Sequence, residues 1–161
     1  MHRVGQFFGH LGARVDPDEI TRVRSILPAN AFELFERMPT ADRRHGLDVM
    51  GRLQAAGRQD PELLAAALLH DAAKGYRMRL WHRVGGVLLG ALVPRLLKRL
   101  ASSNPASRRY PLHLYLHHPE LSAALALEAG CGERTAAFIR GSAAEPDAAA
   151  AAALLAADGA S

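Results

Sequence analysis

Apolar positions along this chain fall into short helical blocks, each bracketed by proline, glycine or a capping acid. In DPDEITRVRSIL, Asp16 is placed to accept from the free amides of a first turn, and Pro17 suits the first helical position. Pro28 opens PANAFELFERM, whose Phe32, Leu34, Phe35 and Met38 are core candidates. Pro39 and Thr40 open TADRRHGLDVMGRLQAAG, where Leu47, Met50 and Leu53 recur at three-residue spacing before Gly57 closes the element. Asp60 and Pro61 repeat the start signal, and ELLAAALLHDA fills a helix apolar almost all round, which predicts a central, buried position. Gly75 ends it or follows closely.

Further on, residues 77–102 predict a helical pair or one helix bent at Pro94. SSNPASRR reads as a loop. YPLHLYLHHPELSAALALEAG reads as helical, with a joint at Pro119 and a stop at Gly130. GERTAAFIRG predicts a short helix ended by Gly141, and a last helix begins at Pro146 and ends near Asp158. The alanine tract 148–153 belongs to that helix, because alanine is the best helix former and Leu154 and Leu155 continue it. Residues 1–15, rich in glycine with Phe7 and Phe8, form an expected flexible arm, and 16–161 form one helical domain.

Composition supports an all-α, compact single-domain bundle. Apolar residues make up 49% of 161 residues, but aromatics only 6%, and the excess is alanine and leucine rather than sheet-forming side chains. The net charge of +4 tolerates a phosphorylated ligand, whereas the absence of any basic run disfavours a nucleic-acid interface. One cysteine, Cys131, excludes an internal disulfide and a cysteine-based zinc finger, and fits a reducing, cytoplasmic setting. The start of the chain shows no secretory signature. Its most apolar stretch, residues 84–94, is well short of the roughly 20 residues of a membrane span. The stretch 84–97 suits a core helix or a homodimer face, and the pattern does not choose between them.

The chemistry gathers on a few polar residues set in apolar helices. His70 and Asp71 end the most apolar helix and can converge on an ion at its end. An imidazole nitrogen beside a carboxylate oxygen suits Mn, Fe, Ni, Co or Zn. Two ligands are too few. His45, early in its helix, and Asp158, at a helix C-terminus where it opposes the dipole, are the candidates to complete the set. Each has a plainer reading, as a surface histidine, a cap, a solvated acid or, for Asp71, a salt bridge to Lys74.

The combination RHGLDV, then LLHDAAKG, then HHPE, then LLAAD resembles the HD-domain superfamily of metal-dependent phosphohydrolases over roughly residues 38–161. The resemblance implies an all-helical bundle of the HD type. It implies one divalent transition metal on His45, His70, Asp71 and Asp158, acting on a small phosphorylated substrate, most naturally a nucleotide. Asp71 and Lys74 are then the catalytic candidates, with Lys74 also beside the substrate phosphate. His118 matches an added histidine of members with two metals. Arg140, Gly141 and Ser142 stand where those members carry a further histidine pair, so one metal is expected, with His118 lining the pocket. Arg44 (or its neighbour Arg43), Arg79 and Arg83 are candidates to meet a phosphate, and Trp81 either stacks on a base or anchors the core. An HD-type binding or regulatory module with weak or no catalysis is the alternative.

Overall fold

Asp16 accepts from the Asp18 amide at 2.8 Å while Glu19 reaches back to the Asp16 amide at 3.0 Å, and this reciprocal box starts the first helix. The computed structural model describes residues 15–75, 100–104, 106–107 and 109–160. Among the described residues there are seven helices and no strand. They are α1 (Pro17–Ile26), α2 (Ala29–Glu36), α3 (Thr40–Ala55), α4 (Pro61–Leu69), α5 (Tyr110–Glu128), α6 (Glu133–Arg140) and α7 (Ala148–Gly159). Most of the expected N-terminal arm, most of the helical pair with Pro94, and Arg79, Trp81 and Arg83 lie outside the described residues. No described helix is long and apolar enough to cross a membrane.

Helix α4 is the centre of the bundle. Every residue from Leu63 to Leu69 is buried, and α1, α3, α5, α6 and α7 all pack against it. Neighbours on all sides explain why its composition shows no polar face. The Asp60 carboxylate caps the Glu62 amide at 3.0 Å, and Pro61 follows at the first turn. Val23, Phe35, Val49 and Leu53 complete the surrounding core, with Phe32 and Met38, while Leu34 is only partly buried at its margin.

Arg134 of α6 ties three elements together. Its guanidinium pairs with Asp60, with Glu62 at 3.2 Å and with Asp147 at 2.7 Å. It thereby joins the start of α4 to the residue that precedes α7. The same clasp takes up the side chain that precedes α7. Asp147 gives its carboxylate to Arg134 rather than to the amides of the first turn, and the helix starts at Ala148, two residues beyond the expected Pro146.

Two further differences from the sequence pattern bear on function. Helix α4 stops at Leu69, so His70 caps it and Asp71 lies in the following turn. The turn closes through Ala72 N–H on the Leu69 carbonyl and Lys74 N–H on the Asp71 carbonyl, and Gly75 adopts φ +50°. Helix α5 runs unbroken through Pro119 where a joint was expected. Proline has no N–H for the Tyr115 carbonyl one turn back, and His118 Nδ1–H donates to that carbonyl at 2.9 Å instead.

Candidate metal centre

His45, His70 and Asp158 come from three helices that meet at one end of the bundle. His45 Nε2 lies 2.9 Å from Asp158 Oδ1 and 3.2 Å from His70 Nε2, and His70 Nε2 lies 3.3 Å from the same Asp158 oxygen. The three atoms form a nearly equilateral triangle. Ligand atoms about 2.1 Å from a transition ion stand about 3.0–3.4 Å apart in octahedral or tetrahedral geometry, so these edges fit one face of a coordination sphere.

The local fold aims these atoms. Gly46 lets α3 approach α4 closely, because a Cβ there would lie 3.0 Å from the Leu68 carbonyl oxygen and 3.2 Å from that of Ala67. That contact sets His45 against His70. At the end of α4, His70 Nδ1–H donates to the Ala67 carbonyl at 3.0 Å, which aims Nε2 at the triangle, as a lone pair when the ring is neutral and as an N–H donor to Asp158 when it is protonated. His118 uses the same device on Tyr115, so its Nε2 also faces inward, 3.9 Å from Asp71 Oδ1.

Asp71 stands beside the triangle. It is 2% exposed, and its Oδ1 lies 2.5 Å from Lys74 Nζ and 3.7 Å from His70 Nε2. Its other oxygen accepts from Lys74 Nζ at 2.6 Å. The Lys74 ammonium thus stands on both oxygens, and an ion at the triangle would have to displace it from Oδ1 to recruit Asp71. The turn that carries Asp71 is pinned to α5, where the buried Ser122 Oγ accepts from the Ala73 amide at 3.0 Å.

Electrostatics follow from this crowding. The hydrogen bonds from His45 and His70 hold Asp158 well below the usual carboxylate range. Burial opposes a charge on both His70 and Asp71. For His70, the Asp71 charge and the Asp158 hydrogen bond outweigh it and raise the imidazole above its ordinary value. For Asp71, the charges of His70 and Lys74 outweigh it and keep the carboxyl well below its ordinary value. Burial, reinforced by the Lys74 charge, lowers His118. Two ring nitrogens and a carboxylate oxygen that converge this closely need a shared proton or a cation between them, and the raised His70 basicity is the proton's version of that demand.

The remaining candidates divide. Lys74 is committed to Asp71. Arg44 points elsewhere, to Glu19 at 2.7 Å and Asp48 at 3.0 Å, in a separate depression on α1 and α3. Arg43 reaches Thr40 Oγ1 at 3.3 Å. His70, His118 and Asp158 line a cleft of about 460 Å³ between α5, α6 and α7, and Arg140 lines it too. Sequence reasoning took Arg140 only as a departure from a histidine pattern, and Gly46 and Ser122 went unremarked. The signal for Ser122 was available: it lies one helical turn beyond His118 in an otherwise alanine and leucine face. No protein-family model, curated protein or solved structure matches the chain.

Proposed function

We propose that this protein is a metal-dependent phosphohydrolase of the HD type, acting on a small phosphorylated molecule such as a nucleotide. The observation that carries the reading is the triangle of His45 Nε2, His70 Nε2 and Asp158 Oδ1, with edges of 2.9–3.3 Å. Its imidazole and carboxylate donors suit a divalent ion of the Mn, Fe, Co, Ni or Zn class, and Asp71 would become a further ligand once Lys74 released it. The order of the ligands along the chain is that of the family the sequence resembles.

A bound ion would supply Lewis acidity to a phosphoryl oxygen and make a bound water acidic near neutral pH. The residues of the chain do the rest. Ala67 and Tyr115 carbonyls fix the tautomers of His70 and His118. His118, mostly neutral because burial lowers its pKa, faces the cleft as a proton acceptor or hydrogen-bond partner for a substrate oxygen. Lys74 holds the Asp71 carboxylate in place.

A second reading, an HD-type module that binds a ligand without turning it over, is favoured by one observation: Lys74 and Arg44 are both engaged by carboxylates of the protein itself. The deciding experiment loads the purified protein with Mn, Co, Ni or Zn, removes the excess and counts bound metal. The reading expects about one ion per chain in wild type and loss in Asp158→Ala and His70→Ala. No retained metal under any loading condition would overturn it. Bound metal with no hydrolysis across a panel of phosphate mono- and diesters would favour the binding module.

A further inference from the structure

The cleft beside the triangle has two chemically different parts. Its inner end is polar, with His70, His118 and Asp158, while Phe138, Ile139, Leu154 and Leu155 form apolar wall. Leu155 is the large apolar side chain that stands exposed among the described residues, at 74% of its surface. An exposed leucine beside a concave apolar wall is surface that an occupant would cover.

Arg140 ends α6 at the rim of this cleft, where Gly141 turns the chain away in the left-handed conformation, φ 69°. Among the described lining residues it carries the one fixed positive charge. Its ion-pair partner, Glu133, is 3.9 Å away and 82% exposed, a contact that water screens and an incoming anion can replace. That sets it apart from Lys74 and Arg44, whose charges are held at 2.6–3.0 Å by carboxylates of the protein.

We infer that Arg140 is the anion-gripping residue of this cleft, and that the ligand it selects is a phosphate ester or phosphonate with an aromatic or otherwise apolar body. The guanidinium takes phosphate oxygens through paired N–H donors, and the body lies on Phe138, Ile139 and Leu155. A volume of about 460 Å³ admits one compact ligand rather than a polymer. The inference deepens the phosphohydrolase reading, on which the choice of phosphate rests. Anion binding by Arg140 itself needs no metal.

The test uses two non-hydrolysable probes, 1-naphthylmethylphosphonate and methylphosphonate, titrated calorimetrically into the full chain with and without Co(II). The visible absorption of Co(II) reports separately whether the triangle is loaded. Wild type is expected to bind the naphthyl probe at least about tenfold more tightly than the methyl probe. Arg140→Gln should weaken both by about tenfold and leave the Co(II) spectrum unchanged. Leu155→Ala should weaken only the naphthyl probe. Arg140→Gln binding like wild type, equal affinity for the two probes, or no binding of either probe in any condition would each overturn the inference. Arg140-dependent binding without a Co(II) spectrum would uphold it and refute the metal reading instead.

Discussion

Gly46 and Leu68 bring α3 and α4 together backbone to backbone: a Cβ on Gly46 would sit 3.0 Å from the Leu68 carbonyl oxygen, closer than side-chain carbons normally approach. The residue just before Gly46 is His45. Gly46→Ala is therefore expected to push α3 outward, widen the 3.2 Å separation of His45 and His70, and destabilise the fold by about 1–3 kcal/mol. Metal affinity should fall at least tenfold in the same variant. Gly51→Ala is the control on the same helix, because nothing lies within 4 Å of a Cβ there. It should stabilise by about 0.5–1 kcal/mol and leave metal binding alone. Urea unfolding and a Co(II) titration read both variants.

The imidazoles of His70 and His118 should titrate on opposite sides of the ordinary histidine value of 6.5 when metal is removed by a chelator, His70 above and His118 below. Asp158→Asn should bring His70 down. The raised His70 value means that its contribution to stability is present below 6.5 and is lost as pH rises through the folded value. The lowered Asp158 value means that its contribution is present above 3.8 and is lost as pH falls through the folded value. The stability difference between wild type and Asp158→Asn should thus be greatest between pH 3.8 and 6.5. NMR titration of the ring protons and chemical unfolding across that range test the two halves. A difference that grows steadily above pH 7 would contradict the assignment.

Ser122→Ala removes the acceptor of the Ala73 amide in the turn that carries Asp71. The expected cost is about 1–2 kcal/mol. Because the bond joins that turn to the helix bearing His118, the variant should also loosen the 3.9 Å relation of His118 to Asp71. Faster amide exchange at Ala73, with little change in α1 and α2, is the signature to look for.

Arg134→Met keeps the aliphatic stem and leaves Asp60, Glu62 and Asp147 facing one another without their cation. Partly exposed networks of this kind are modest in strength, so the melting temperature should drop by about 2–4 °C, and by less at high salt. Metal content should be unaffected, which separates this variant from those at the triangle.

Much of the scaffold was legible because its signals are local. Asp16 with Pro17 and Asp60 with Pro61 start helices through atoms two or three residues away, and the apolar run Leu63–Leu69 can only be a central helix. His70 and Asp158 were also nameable as polar residues at the ends of apolar helices, and His45 from its place on one element with Leu47 and Met50. What escaped depends on partners far away in the chain. Asp147 fails to cap α7 because Arg134 claims it, and Pro119 leaves α5 intact because His118 fills the missing bond. Arg44 looked free to meet a phosphate until Glu19, 25 residues earlier, took it. Lys74 suits either a phosphate or Asp71 in the sequence, and in the fold its ammonium stands on Asp71. Arg140 was hidden by the opposite error, because a missing histidine drew attention away from the cation standing in its place.

Helix α7 packs on the bundle mostly through small side chains: Leu154 and Ala157 are buried, Ala150, Ala151 and Ala153 are partly buried, and Asp158 joins it to His45 across 113 residues of chain. A terminal helix with few large buried side chains costs less to open locally than the whole protein costs to unfold. Every such opening carries Asp158 away from the two imidazoles. Whatever cation or proton sits among the three side chains therefore works as a clasp on the last described helix, and its occupancy sets how long that helix stays shut.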